Sequence, residues 1–212
     1  RGPGQSDPGA AGAGEWGDPM EIDDATAARH REKMVRRKAH QDAEVAEKTV
    51  EKGLLIVHTG PGKGKSTAAF GLALRMLGHG RRVGVVQFIK GVWSTGEQTA
   101  LRAFGDRVAW HSMGEGFTWE TQDLARDIAA ASRAWAMAET LMADPTIALL
   151  VLDELNIALR YDYLELDAVV STLKARRADL HVIVTGRNAK PGLVEAADLV
   201  TERVVDRHAT AE

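Results

Sequence analysis

The chain contains no cysteine, which excludes disulfides, thiolate metal sites and thiol nucleophiles, and leaves no need for an oxidising compartment. It also lacks a long apolar run: the longest, Ile147 to Leu152, is far short of the roughly 20 residues that a membrane-spanning helix needs. No apolar block follows a basic N-terminus, so the chain reads as a soluble, cytoplasmic protein that does not engage a membrane. Charge of one sign is not in excess. The 27 Lys+Arg against 30 Asp+Glu give a formal net charge of −3, which excludes a strongly basic nucleic-acid binder. Aromatics are few, with 4 Phe, 5 Trp and 2 Tyr, so each one spent in a loop carries information. What is present is 44% hydrophobic and 27% charged over 212 residues, a globular composition with room for one domain and an appendage.

Residues Arg1 to Pro19 hold six glycines and three of the 6 prolines with little to bury, so residues 1–23 are expected to form a disordered tail. From Asp24 to Lys52 proline disappears and Ala, Glu, Lys and Arg dominate. Asp24 is expected to cap a helix starting near Ala25, with a thin apolar stripe (Ala28, Met34, Val35, Ala39, Val45) and a basic block from Arg29 to Lys38. After Gly53 short β-rich apolar runs alternate with segments of helical period, the pattern of a parallel sheet flanked by helices. The expected strands are Leu54–His58, Val83–Ile89, Val108–Ser112, Ile147–Leu152, His181–Thr185 and Leu199–Val205. Helices are expected at Lys65–Leu77, Glu97–Phe104, Gln122–Met142, Leu166–Arg176 and Gly192–Ala197, the third ended sharply by Asp144-Pro145. The folded domain is expected over 53–208, with a short tail at 209–212.

The first strand runs into Thr59-Gly60-Pro61-Gly62-Lys63-Gly64-Lys65-Ser66-Thr67 and then into a helical pattern, which is a phosphate-binding loop in its proper context. Glycines let backbone N–H groups converge on phosphate oxygens, Lys65 adds a cation, the helix N-terminus adds positive potential and Ser66 offers a hydroxyl to Mg²⁺. The loop is one residue short, because Gly60 to Gly64 leaves three residues where the usual motif has four. Ordinary in-line γ-phosphoryl transfer therefore does not follow from it. The strand Ile147–Leu152 delivers Asp153-Glu154 at its end, as a Walker B strand does. Asp153 is expected to hold Mg²⁺ directly or through water, whereas Glu154 could polarise water, ligate the metal or merely close the strand. Two glycine-bearing loops, Lys90–Glu97 and Gly114–Thr121, follow the second and third strands and carry Trp93, Phe117 and Trp119, which points to a flat apolar ligand or to packing beneath the loops.

These segments, together with Ala68-Ala69-Phe70-Gly71, Val85–Gly91, Gly116-Phe117-Thr118-Trp119, Leu152–Leu155, Tyr161–Leu164 and Val184-Thr185-Gly186-Arg187, closely resemble the P-loop family of corrinoid adenosyltransferases over about Gly53 to His208. The resemblance implies an α/β fold of the RecA-like P-loop type, mostly parallel, with an N-terminal helical extension. It implies that ATP is a co-substrate lying reversed in the short loop, that Co(I) of a corrinoid attacks the ribose 5′-carbon, and that triphosphate leaves. Gly60, Pro61, Gly62, Lys63, Gly64, Lys65, Ser66 and Thr67 are then the triphosphate-binding residues, with Arg187 as a nucleotide or corrinoid contact or a surface ion pair. Ser66, Glu154 and Asp153 are the Mg²⁺ candidates, and Lys65 steadies the leaving group. Phe117 and Trp119 approach the corrin ring and exclude the axial ligand of Co(II). A homodimer, a flavin-type reductant as a candidate partner, and an N-terminal helix acting as a lid belong to the same expectation. The competing readings are a P-loop ATP hydrolase or small-molecule kinase, and a non-catalytic nucleotide-gated corrinoid-binding protein.

Overall fold

The six apolar runs become six strands of one sheet in the computed structural model, which describes residues 22–89, 95–113 and 123–205. The chain divides into two compact units, Arg1–Val50 and Glu51–Glu212.

The first unit contains helix α1, Asp24–Ala46. Its cap is Asp23, not Asp24 as expected, and the helix starts one residue earlier than Ala25. The reason is reach: the Asp23 carboxylate accepts from the Thr26 N–H at 2.8 Å and from the Thr26 hydroxyl at 2.6 Å. Asp24 instead places its charge in the first turn, where the helix dipole favours it. No residue of α1 is buried. Exposed pairs one turn apart, Arg36–Glu32 at 2.5 Å and Lys38–Asp42 at 2.7 Å, lend it a few tenths of a kcal/mol each.

In the second unit the strands are β1 Leu55–Thr59, β2 Arg82–Gln87, β3 Val108–Ser112, β4 Ile147–Asp153, β5 His181–Thr185 and β6 Leu199–Glu202. They pair in the order β3-β2-β4-β5-β1-β6, every pair parallel. The helices are α2 Lys65–Gly78, α3 Gly96–Arg102, α4 Leu124–Ala143, α5 Leu155–Arg160, α6 Leu166–Lys174 and α7 Pro191–Ala196. The central strands read as unbroken apolar runs because helices cover both faces. On one face Ile56, Val83, Val85, Leu149, Val151 and Ile183 pack with Ala69, Phe70 and Leu77 of α2 and Leu101 of α3. On the other, Val57, Leu150, Leu152 and Val184 pack with residues from α4, α5, α6 and α7, among them Ala134, Leu159, Leu173 and Leu193. Leu150 and Leu152 have no exposed surface, and truncating either to alanine would cost about 2–5 kcal/mol.

Helix α5 was not expected from the sequence. At six residues it is too short for a periodic signal, even though Leu155, Ala158 and Leu159 are buried. Strand β6 stops at Glu202, short of the expected Val205, and β2 stops at Gln87, two residues short of Ile89.

Candidate active site

Because all six strands run the same way, their C-terminal ends share one edge of the sheet, where open α/β sheets bind ligands. That edge collects Thr59 and the glycine loop from β1, Gln87 from β2, Ser112 from β3, Asp153 and Glu154 from β4, Thr185 and Gly186 from β5, and Glu202 with Arg203 from β6.

The loop is shaped by its contact with the chain after β6. The Arg203 N–H donates to the Thr59 carbonyl at 2.9 Å, and the Gly62 N–H donates to the Arg203 carbonyl at 2.8 Å. The Gly62 N–H is thus engaged within the protein, and the residue shapes the loop by close approach. A Cβ there would lie 2.6 Å from the Val204 carbonyl oxygen. Gly60 and Gly64 both sit at φ +92, in the region open to glycine, and Gly64 is the N-cap of α2.

Lys65 opens α2 with its side chain folded inward, 7% exposed, its ammonium donating to the Gly62 carbonyl at 2.5 Å. Burial pushes its pKa below the ordinary lysine value; the Glu154 carboxylate opposes this, while Arg187, Lys63 and Arg203 reinforce it. Lys63, Arg187 and Arg203 thus bring positive charge to the surroundings of Lys65, and Glu154 opposes it. Ser66 is half-buried at the first turn of α2, whereas Pro61, Lys63, Thr67 and Arg187 are exposed.

Asp153 has no exposed surface. Its Oδ2 accepts from Gln87 Nε2 at 2.9 Å and its Oδ1 from the Thr185 hydroxyl at 2.8 Å. Glu154 is only partly buried and has left-handed backbone, φ 64 and ψ 21, a conformation that a glutamate adopts only when its surroundings impose it. The Glu154 N–H donates to Thr185 Oγ1 at 3.0 Å. Gly186, at φ +129, lies so close that a Cβ on it would come 3.1 Å from Glu154 Oε2 and 2.7 Å from Asn156 Cβ. Phe117, Trp119 and Trp93 lie outside the described residues.

Sequence reasoning gave no site role to Gln87, Ser112, Thr185, Asn156, His58 and Arg203. The signal available for Gln87 and Thr185 was a polar residue closing an otherwise apolar strand. Asn156 has no exposed surface and donates from Nδ2 to the Gly186 carbonyl at 2.9 Å. His58 is buried on β1, and neither ring nitrogen has a hydrogen-bond partner among the described residues. Burial, aided by the Arg203 charge, pushes its pKa below the usual value.

Two family models match the chain. One, described as ATP:corrinoid adenosyltransferase BtuR/CobO/CobP, spans residues 51–212. The other, described as Cob(I)alamin adenosyltransferase N terminal, spans residues 20–45 and so takes in most of α1. The chain is 59% identical over 181 residues to a corrinoid adenosyltransferase of Pseudomonas aeruginosa, covering 85% of this chain and 89% of that protein. It is 52% identical over 192 residues to a corrinoid adenosyltransferase of a Sinorhizobium species, covering 90% and 88%. Corrinoid adenosyltransferase CobA of Salmonella typhimurium is 45% identical over 181 residues, covering 85% and 91%.

Proposed function

This chain belongs to the family of ATP:corrinoid adenosyltransferases, and on that premise we propose how its own residues carry out ATP-dependent adenosyl transfer to a corrinoid. In the chemical step Co(I) of the corrinoid substrate donates an electron pair to the ribose 5′-carbon of ATP. The cobalt–carbon bond forms, the C5′–O5′ bond breaks, and its electron pair departs with inorganic triphosphate, leaving cobalt formally as Co(III). The substrate metal is the nucleophile, so no protein nucleophile is required and the lack of cysteine is no obstacle.

The protein's task is then to hold a leaving group of high negative charge and to aim the 5′-carbon away from the loop. The observation that carries this reading is the buried Lys65 at the head of α2, ringed by Lys63, Arg187 and Arg203. Gly60, Pro61, Gly62, Gly64, Ser66 and Thr67 complete the cradle: Gly60 and Gly62 by letting backbone approach closely, Ser66 and Thr67 from the helix N-terminus. Magnesium fits the donors present, because the Ser66 hydroxyl and the Glu154 carboxylate are hard oxygen ligands on one sheet edge and leave room for phosphate oxygens and water. When bound it would offset charge growing on the departing triphosphate. Asp153, enclosed by Gln87 and Thr185, supports that site from behind. Phe117 and Trp119, by resemblance, face the corrin ring and displace the axial ligand of Co(II). A cytoplasmic homodimer, supplied with Co(I) by a flavin-type reductant, completes the proposal.

An anaerobic assay with ATP, Mg²⁺ and chemically reduced cob(I)alamin tests it. Adenosylcobalamin and triphosphate are expected in equal amounts; ADP and phosphate with the corrinoid unaltered would overturn it.

A further inference from the structure

Hydrogen-bond donors converge on Asp153 from both strands that flank β4. Trp110 Nε1 on β3 donates to Ser112 Oγ at 3.1 Å, and Ser112 Oγ donates to Gln87 Oε1 on β2 at 2.9 Å. Gln87 Nε2 passes the direction on to Asp153 Oδ2 on β4. From the other side the Thr185 hydroxyl of β5 donates to Asp153 Oδ1, and the Glu154 N–H donates to that same hydroxyl oxygen. The direction is uniform: both Asp153 oxygens accept, one from the Gln87 amide and one from the Thr185 hydroxyl. Thr185 has one hydroxyl proton. With that proton committed to Asp153, a lone pair is left facing the Glu154 N–H.

This arrangement explains the left-handed backbone of Glu154. Thr185 grips its N–H, and the next residue, Gly186, gives its carboxylate room that any side chain would fill. Asn156 closes the ring by donating to the Gly186 carbonyl. The result is that the Glu154 side chain leaves the buried strand toward Lys65 and the loop, within reach of the lysine's charge.

We propose that Thr185, and behind it Gln87, are positioning residues for metal–triphosphate binding: through the buried Asp153 they lock Glu154 in the conformation that presents its carboxylate to the cation. Both side chains are buried, Thr185 with no exposed surface and Gln87 at 1%, and both act through Asp153 and Glu154. The inference rests on the reading above that Glu154 is a metal ligand. An alternative role in folding alone would weaken every ligand together, whereas positioning acts only on the metal-dependent part of binding.

The test uses the full chain with Mn²⁺ as the probe. Mn²⁺ affinity of the ATP complex is measured by electron paramagnetic resonance, and metal-free ATP binding by calorimetry. Thr185→Val is expected to weaken Mn²⁺ binding about tenfold or more, within the range for residues that orient metal ligands, while metal-free ATP affinity stays within about twofold. Thr185→Ser, which keeps the hydroxyl, is expected to restore Mn²⁺ affinity, and Gln87→Leu to shift it in the same direction as Thr185→Val by less. Wild-type Mn²⁺ affinity in Thr185→Val would overturn the inference, as would equal losses in the Val and Ser variants or a parallel fall in metal-free ATP binding. Should Thr185→Val not fold, Thr185→Ala carries the same test. Glu154→Gln separates the two levels of argument. If it too leaves Mn²⁺ affinity unchanged, the metal-site reading fails; if it abolishes binding while Thr185→Val does not, only the positioning role fails.

Discussion

Gly60→Ala and Gly64→Ala make an informative pair, since both glycines sit at φ +92 but only Gly60 is closely surrounded. The left-handed backbone would cost an alanine at either position about 1–2 kcal/mol. Both variants also share the opposing gain of about 0.4–1 kcal/mol from a stiffer unfolded chain. These contributions cancel when one variant is compared with the other. What does not cancel is the neighbourhood. A Cβ on Gly64 meets nothing within 4 Å, whereas one on Gly60 would lie 2.4 Å from the Arg203 carbonyl oxygen and 2.8 Å from the Arg203 nitrogen. Arg203 cannot swing aside, because its N–H donates to Thr59 O at 2.9 Å and its carbonyl accepts from Gly62 N at 2.8 Å. The methyl must therefore push the loop and the segment after β6 apart, and forced overpacking of this kind costs about 1–3 kcal/mol. Gly60→Ala is expected to be less stable than Gly64→Ala by that amount. Urea denaturation followed by far-UV circular dichroism resolves it: with a slope of about 1–3 kcal/mol/M, the midpoints should differ by on the order of 1 M. ATP affinity should fall further in Gly60→Ala if the displaced backbone forms the floor of the proposed triphosphate cradle. Coincident midpoints, or a lower one for Gly64→Ala, would refute the claim that contact with Arg203 shapes the loop.

Lys65→Ala is expected to lower adenosyl transfer to chemically reduced cob(I)alamin by about 10²–10³-fold, the loss seen when one preorganised stabiliser of a charged leaving group is removed; near-wild-type turnover would contradict its role. His58→Phe addresses pH. The folded-state pKa of His58 lies below its ordinary value of 6.5, so the unfolded chain binds the extra proton first and stability falls as pH drops below 6.5. The slope is at most about 1.4 kcal/mol per pH unit. Phenylalanine abolishes this contribution, and at pH 7.5 it should be neutral or stabilising because it replaces two ring nitrogens that have no partner among the described residues. Urea midpoints at pH 7.5 and 5.5 check both points, and an undiminished acid loss in the variant would count against the buried imidazole as its source. Deleting residues 1–48 is expected to weaken corrinoid binding while leaving the melting of the Glu51–Glu212 unit unchanged, since no residue of α1 is buried; unchanged corrinoid affinity by spectroscopic titration would remove the helix from substrate binding.

What could be read from the chain alone was what short stretches encode by themselves. The apolar run Ile147–Leu152 and the glycines around Lys65 each announce their element without reference to any other, while the Asp153-Glu154 pair takes its meaning from the glycine loop that precedes it in the chain. Helix α5 was hidden because its six residues are too few to show a helical period. Asp23 and Asp24 differed only in which carboxylate reaches Thr26, a choice made by backbone geometry and not by residue type. The larger loss lies in the partners of Asp153. Gln87 is paired with it across β2 and β4, and Thr185 reaches it from β5, through registers that no single strand specifies. Strand order in a parallel sheet is set by crossover connections, so these meetings are invisible until the sheet is assembled. Yet the ends of the strands carried a usable mark. Thr59, Gln87, Ser112, Asp153, Thr185 and Glu202 are the polar residues that close six otherwise different strands. A polar residue at a buried strand's end must find a partner or a ligand, because an unpaired one would cost about 1–3 kcal/mol. In an all-parallel sheet those ends lie along a single edge. Their polarity marks that edge as a candidate site, and strand order adds the finer fact that Thr185 stands between the two carboxylate-bearing residues and the glycine loop.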